Sequence, residues 1–313
     1  MPVIPSRRQS PRIIFMGTPE FAVASLDALL TAGFHIIAVI TAPDKPAGRG
    51  MQLTETAVKK YAVAKELNIL MPEKLKDPSF LETLQSLQAD LQVVVAFRML
   101  PELVWNMPSM GTINLHGSLL PQYRGAAPIN WAVINGEKET GVTTFKLQHE
   151  IDTGDILLQS SFPIGDDETA GEIHDRMKEI GAAVLVKTVE GIADGSLIEV
   201  PQQKEEKLHR APKIFTETCK IDWNKPVDEI YNLIRGLSPY PAAFTYLDNK
   251  FLKIYKAQKL KTSPLTEPGK METDKKTFIR FNAMDGYIDL KEIQLEGKKK
   301  MMVEDFLRGY RFV

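Results

Sequence analysis

The chain has 313 residues, of which 43% are hydrophobic and 25% are charged, and its formal net charge is -1. This composition is ordinary for a globular protein, and the length favours two domains. No apolar run approaches the roughly 20 residues of a membrane-spanning helix, and residues 1–12 lack the apolar stretch of a secretory signal. A single cysteine, Cys219, excludes a disulfide framework, so we expect a cytoplasmic protein.

Charge is distributed unevenly along the chain. Residues 1–206 contain 18 Lys and Arg against 26 Asp and Glu, whereas residues 207–313 contain 21 against 14. A basic C-terminal third attached to an acidic body suggests a polyanionic partner. A solvated, Lys-rich surface explains the same numbers equally well, so the charge alone does not decide.

Apolar runs in the first two thirds of the chain alternate with helical patterns. Leu91–Phe97 is a continuous apolar run, as expected of a strand that is covered on both faces. The alternation predicts a Rossmann-like α/β fold, with a mostly parallel sheet and helices on both of its faces. The strands are predicted at 12–16, 36–41, 91–97, 111–116, 142–148 and 156–162, and the helices at 19–33, 54–68, 78–89, 128–135 and 168–193.

The pattern changes after residue 195. A polar segment with Pro201 and Pro212 is typical of a linker, and short strand-like runs separated by turn signals follow it. These runs predict a small C-terminal β-barrel of the OB-like type. We therefore predict a flexible tail at 1–11, an α/β catalytic domain at 12–195, a linker at 196–214 and the barrel at 215–313.

The loops expected at the carboxyl ends of the strands are the places to look for a site. These loops are Gly17–Phe21, Phe97–Pro101 and His116–Pro121. The first lacks the G-x-G-x-x-G pattern of dinucleotide binding, and the chain has no phosphate-binding G-x-x-x-x-G-K-S/T motif.

Three polar side chains in this region suggest a reaction. Asn114 and His116 are two residues apart at the end of an apolar run, so they share one face of a strand. Asp152 follows in a Gly-containing loop, within H-E-I-D-T-G-D-I. An amide, an imidazole and a carboxylate are the groups needed to move an acyl group onto an amine. No second His or Cys stands at ligand spacing, so the pattern does not imply a metal.

The motifs that carry these residues resemble those of the 10-formyltetrahydrofolate-dependent formyltransferases. The similarity covers roughly Arg12 to Val313 and includes N-L-H-G-S-L-L-P, Y-R-G-A-A-P-I and D-T-G-D-I. Further matching segments are M-G-T-P-E-F, P-D-K-P-A-G-R-G, V-V-V-A-F and I-D-W. The loop P-A-G-R-G and the basic C-terminal region point to members of the family that act on tRNA.

The resemblance implies an enzyme that transfers the formyl group of 10-formyltetrahydrofolate to the α-amine of methionyl initiator tRNA for translation initiation. Asn114 and His116 would stabilise the oxyanion of a tetrahedral intermediate, as an oxyanion hole made of side chains. Asp152 would pair with His116 and accept the proton of the attacking amine, directly or through water. We expect a monomer without a metal or a covalent enzyme intermediate.

The resemblance also implies two sets of binding residues. The folate would lie against the S-L-L-P turn and the end of the V-V-V-A-F strand, and the tRNA against the P-A-G-R-G loop and a C-terminal cation run. The folate residues are Ser118, Leu119, Leu120, Pro121, Phe97, Arg98 and Met99, and the tRNA residues are Arg49, Lys298, Lys299 and Lys300.

Three other functions fit parts of the sequence. A formyltransferase for nucleotide-linked amino sugars would keep Asn114, His116 and Asp152 but would not need the P-A-G-R-G loop or a basic tail domain. A formyltetrahydrofolate hydrolase is a weaker alternative. A non-catalytic RNA-binding protein would use the barrel alone, and its RNA binding would not depend on Asn114 or His116.

Overall fold

The computed structural model describes residues 10–47, 51–203, 207–263 and 266–312. These residues form two compact units that interleave in sequence. The first unit takes the described residues of Met1–Arg124, Gly141–Ser161 and Asp175–Leu208. The second takes those of Gly125–Thr140, Phe162–His174 and His209–Val313. Most of the predicted tail, residues 1–9, lies outside the described residues.

Strands and helices alternate along the first two thirds of the chain. The strands β1 to β10 are Arg12–Gly17, His35–Ile40, Lys45–Ala47, Gln52–Thr54, Ile69–Leu70, Leu91–Val95, Thr112–His116, Arg124–Gly125, Glu139–Lys146 and Ile156–Pro163. The helices α1 to α6 are Glu20–Thr31, Ala57–Ala64, Pro78–Ser86, Glu102–Trp105, Pro128–Ile134 and Ala170–Asp194.

The central sheet has the order β10-β9-β7-β6-β1-β2-β5. The pairs β1–β2, β1–β6, β2–β5 and β6–β7 are parallel, and β9 runs antiparallel to β7. Every residue of β6 is buried, which is why the sequence there is continuously apolar. The predicted mostly parallel α/β sheet is confirmed.

The register of the parallel strands places three loops at one edge of the sheet. Gly17 at the end of β1 is opposite Val95 at the end of β6, and Val95 is opposite Leu115 in β7. The chain approaches itself closely here, because a Cβ on Gly17 would lie 2.6 Å from that of Ala22. The loops after β1, β6 and β7 therefore meet at the edge where a ligand of an open α/β sheet binds.

Local signals explain most element boundaries, and one prediction needs correction. Asp77 accepts a hydrogen bond from the Ser79 N–H at 3.0 Å and caps α3, whose first residue is a proline. Helix α2 was predicted to begin at Thr54 but begins after Thr56, whose hydroxyl accepts from Lys59. Thr54 instead pairs with Lys45 in the β3–β4 hairpin, so strand pairing removes it from the helix.

The second unit is built around a curled antiparallel sheet. Strands β11 to β17 are Arg210–Ala211, Ala243–Leu247, Lys250–Lys261, Met271–Thr273, Ile279–Asn282, Gly286–Leu295 and Met301–Met302, and helices α7 to α9 are Thr216–Cys219, Val227–Leu237 and Val303–Gly309. The sheet order is β12-β13-β16-β15-β14, with β17 on β16. This half-barrel confirms the predicted second fold.

Helix α8 is a feature of the second unit that the sequence pattern did not predict. Its apolar face, with Ile230, Ile234 and Leu237, is buried in the core of the curled sheet. Helix α5 packs on α8 at Gly236, where a Cβ would lie 2.5 Å from a carbon of Ile134. This contact groups residues 125–140 with the C-terminal residues.

Within the described residues, none of the helices is both long and apolar enough to cross a membrane.

Candidate active site

Strand β7 presents two polar side chains at the carboxyl edge of the first unit. Asn114 is opposite Val94 and Phe145, and His116 is opposite Thr143. Alternate residues of a strand point to the same face and are roughly 7 Å apart along it. Asn114 is half-buried and His116 is buried, with 7% of its surface exposed. The strand therefore aims an amide and an imidazole in one direction from a rigid support.

Both ring nitrogens of His116 face oxygen atoms. Nε2 lies 2.9 Å from the carbonyl oxygen of Tyr123, and because a carbonyl only accepts, Nε2 carries the proton of that bond. Nδ1 lies 3.9 Å from Oδ2 of Asp152. Phe145 packs edge-on against the ring, with the centroids 6.4 Å apart. The ring is held on two sides, and Nδ1 is the nitrogen turned towards Asp152.

Asp152 lies in the connection between β9 and β10. Its φ of 56° is in the left-handed region, which Asp tolerates better than most residues. A Cβ on the nearby Gly154 would lie 1.6 Å from the carbonyl oxygen of Lys146, so the connection folds back against β9 only with glycine there. Gln202 donates to the carbonyl oxygens of both Asp152 and Gly154, at 2.9 and 2.8 Å.

The S-L-L-P turn is fixed by two side chains of the neighbouring strands. Thr143 donates to the carbonyl of Ser118 at 2.7 Å and accepts from the Leu120 N–H at 3.1 Å. Gln159 donates to the carbonyl of Leu120 and to the Thr143 hydroxyl, both at 2.9 Å. The side chains of Ser118, Leu120 and Pro121 are buried, whereas Leu119 is half-buried. A ligand at this turn would therefore meet main-chain groups and Leu119.

The loop after β6 is held by its own arginine. Arg98 donates to the carbonyl oxygens of Glu73, at 2.8 Å, and of Pro72. Partial burial lowers the pKa of the Arg98 guanidinium, which also lies over the Phe97 ring. The Met99 side chain is 73% exposed. Arg98 therefore anchors the loop, and Met99 is the predicted folate residue that is most open to a ligand.

The predicted tRNA residues fall in two places. Arg49 lies outside the described residues; in the sequence it falls between β3 and β4. Lys298, Lys299 and Lys300 are exposed in the turn between β16 and β17 of the second unit. Lys300 is 3.0 Å from Glu292 and lies over the Tyr255 ring, so it is more restrained than a solvated lysine.

The base of the β3–β4 hairpin is fixed by ion pairs. Nζ of Lys59 lies 2.5 Å from Asp44 and 2.8 Å from Glu55. Its hydrogen bond to Asp44, and then the one to Glu55, raise the pKa of the Lys59 amine. The Thr41 and Thr56 hydroxyls, 2.8 Å apart, add a second link at this base.

Sequence analysis missed four side chains that position the site: Thr143, Gln159, Arg124 and Gln202. Arg124 stood within the quoted Y-R-G-A-A-P-I motif, which gave a signal that was not used. The other three had no local signal, because each acts across the fold on a loop distant in sequence. Among the described residues, no group of three or more His, Cys, Asp or Glu side chains is placed to hold a metal ion.

Comparisons with known proteins agree over most of the chain. A family model described as formyl transferase matches residues 11–189, and one described as formyl transferase, C-terminal domain, matches residues 213–311. The methionyl-tRNA formyltransferase of Phocaeicola vulgatus is 56% identical over 310 residues, 96% of each chain. That of Parabacteroides distasonis is 54% identical over 315 residues, 97% of each chain.

A solved structure shares the fold. The N-formyltransferase from Helicobacter canadensis, crystallised with folinic acid and dTDP-3-aminofucose, superposes with a TM-score of 0.69 at 21% identity. The match covers 93% of this chain and all of that one. At this identity the likeness concerns the fold alone.

Proposed function

This chain belongs to the formyl transferase family, among the methionyl-tRNA formyltransferases, and on that premise we propose its reaction. The enzyme transfers the formyl group of 10-formyltetrahydrofolate to the α-amine of methionyl initiator tRNA. The product, N-formylmethionyl-tRNA, serves translation initiation. The observation that supports this most directly is the pairing of His116 with Asp152 at the ligand-binding edge, on the strand that carries Asn114.

Asn114 and His116 stabilise the charge that develops on the formyl oxygen. Tyr123 occupies Nε2 of His116, so Nδ1 is the nitrogen that faces the substrate. Nδ1 donates when the ring is doubly protonated, and Asp152 supplies the opposite charge. The Asn114 amide donates from the same face of β7. Removing one such donor typically lowers the rate by about 10²–10³-fold.

Asp152 takes the proton of the attacking amine. Its separation of 3.9 Å from His116 is too long for a direct hydrogen bond but lets one nitrogen or oxygen atom contact both groups at about 2.8 Å. The amine would approach the carboxylate beside the imidazole, so that Nδ1 keeps its hydrogen bond to the formyl oxygen. The proton passes to Asp152 directly or through one water.

The turn after β7 and the loop after β6 would hold the folate, which supplies an activated formyl group on nitrogen. The turn offers main-chain groups fixed by Thr143 and Gln159, and it lies beside His116 in sequence and on the same edge. Leu119 and Met99 offer apolar surface that is open to a ligand. Rigid polar groups beside open apolar surface suit a flat ring system.

The reaction is tested by offering the full-length protein different formyl acceptors. With 10-formyltetrahydrofolate we expect formylation of methionyl initiator tRNA and much slower formylation of methionyl elongator tRNA, measured by separating formylated from free methionine after deacylation. Formylation of a nucleotide-linked amino sugar instead of the tRNA would overturn the proposed acceptor.

The role of the site is tested by His116→Ala. We expect loss of formyl transfer with nearly unchanged tRNA affinity, because His116 is only 7% exposed and its proposed contact is the formyl oxygen. Loss of tRNA binding in this variant, with the thermal melting temperature retained, would contradict the assignment.

The contact with the acceptor tRNA is tested by Arg49→Ala. We expect this variant to discriminate less well between initiator and elongator tRNA.

A further inference from the structure

We infer that Gln202 is a positioning residue, which sets the place of the Asp152 carboxylate against His116. This inference rests on the proposed function, since it concerns the same site. Gln202 lies in the polar segment after α6, which sequence analysis interpreted as a linker.

The backbone around Gln202 is tied to the sheet. Val200 exchanges two main-chain hydrogen bonds with Ile156 at the start of β10, at 2.8 and 2.9 Å. Glu199 pairs with Lys146 at the end of β9, at 2.8 Å. Gln202 therefore leaves the edge of β10 at a fixed point, close to the connection that carries Asp152.

The amide of Gln202 uses both of its ends. Nε2 donates to the carbonyl oxygens of Asp152 and Gly154, and Oε1 accepts from Nε and Nη2 of Arg124, at 3.1 and 2.5 Å. A side-chain amide is the neutral group that offers two donors and an acceptor in one plane. A glutamate would keep the bonds to Arg124 but would place an oxygen against two carbonyl oxygens.

These bonds close a circuit through the proposed catalytic pair. The Tyr123 carbonyl holds Nε2 of His116, and the next residue, Arg124, holds Gln202. Gln202 holds the main chain of Asp152, whose carboxylate faces Nδ1 of His116. The circuit also holds Asp152 at its left-handed φ of 56°, a conformation that the chain alone does not favour. Both sides of the imidazole are therefore fixed from one shared support.

The test compares Gln202→Glu with the wild-type protein in the formylation of methionyl initiator tRNA. We expect kcat to fall about 10–100-fold, because a shift of about 1 Å in a reacting group costs rate at this scale. The KM values for folate and tRNA should change less than about threefold, since the variant leaves the binding surfaces intact. Thermal melting shows whether the variant is folded.

A matched control and a double-mutant cycle separate positioning from general stability. Asn130→Asp makes the same amide-to-carboxylate change where the amide holds the Gly236 carbonyl at 2.7 Å in the second unit, and kcat should stay near the wild-type value. In single-turnover assays, the double variant Gln202→Glu, Asp152→Asn should react no more slowly than Asp152→Asn alone, because Gln202 acts through Asp152.

An unchanged kcat in folded Gln202→Glu would overturn the inference, and so would a full additional loss in the Asp152→Asn background. If the wild-type protein did not formylate methionyl-tRNA, the proposed function would fail instead, so the two failures are distinguishable.

Discussion

A single hydroxyl, that of Thr143, fixes the turn proposed to meet the folate. It donates to Ser118 and accepts from Leu120 and Gln159, and the side chain is fully buried. Replacing it with an apolar group of the same shape leaves buried donors without an acceptor, at a cost of about 1–3 kcal/mol.

We therefore expect Thr143→Val to raise the KM for 10-formyltetrahydrofolate by about tenfold, the equivalent of about 1.4 kcal/mol. Steady-state kinetics at varied folate concentration measures the change. Thr144→Val is the control, because Thr144 is also fully buried but bonds to Thr188 on the opposite face of the same strand. Thr144→Val should lower the melting temperature and leave this KM unchanged; equal effects on KM would argue against the role of Thr143.

The N-terminus of helix α6 is capped by side chains at its own first turn. The N–H and hydroxyl of Thr169 both donate to Oε2 of Glu172 at 2.8 Å, and the Glu172 N–H donates to the Thr169 hydroxyl at 3.3 Å. This reciprocal pattern is a capping box. The bonds from Thr169 lower the pKa of the Glu172 carboxyl. A carboxyl with a lowered pKa in the folded state stabilises the protein only while it is ionised.

We expect Glu172→Ala to lower the free energy of unfolding by about 0.5–1 kcal/mol at neutral pH. The difference from the wild-type protein is fully present above the carboxyl's ordinary pKa and disappears as pH falls through its lowered value in the folded state. Urea unfolding at several pH values measures this. Glu190→Ala, an exposed change in the same helix, is the control and should show no such pH dependence.

At the scale of the whole molecule, the uneven charge suggests where a polyanion binds. Residues 207–313 contain 21 Lys and Arg against 14 Asp and Glu, whereas residues 1–206 contain 18 against 26. Lys298 and Lys299 are exposed in the second unit, whereas Lys300 is paired with Glu292. A lysine held by a carboxylate has to break that pair before it can neutralise a phosphate.

We expect Lys298→Gln and Lys299→Gln each to weaken tRNA binding and to reduce the slope of log affinity against log salt by roughly 0.7–0.9. Lys300→Gln should reduce it less, because its charge is already compensated. Affinities measured from 50 to 200 mM salt give the slopes. Lys76→Gln, a change of an exposed lysine in the first unit, is the control. An unchanged slope in all three C-terminal variants would remove this turn from the tRNA contact.

The sequence alone determined the structural features that depend on a few neighbouring residues. The shared face of Asn114 and His116 follows from the two-residue period of a strand, and the start of α3 follows from Asp77 and Pro78. The turn between β12 and β13 follows from Asp248 and Asn249, which have positive φ and belong to residue types that tolerate this conformation. Each of these features is decided by backbone sterics and local hydrogen bonds.

Only the tertiary structure decided which distant groups meet. Asp152 reaches His116 because β9 pairs with β7 and returns the chain to the same edge, and Gln202 reaches Asp152 because Val200 pairs with Ile156. Similarly, Thr54 lies in a strand and not in the predicted helix, because it pairs with Lys45. Sheet register and close packing set such contacts, and since they join residues tens of positions apart, no local pattern in the sequence records them.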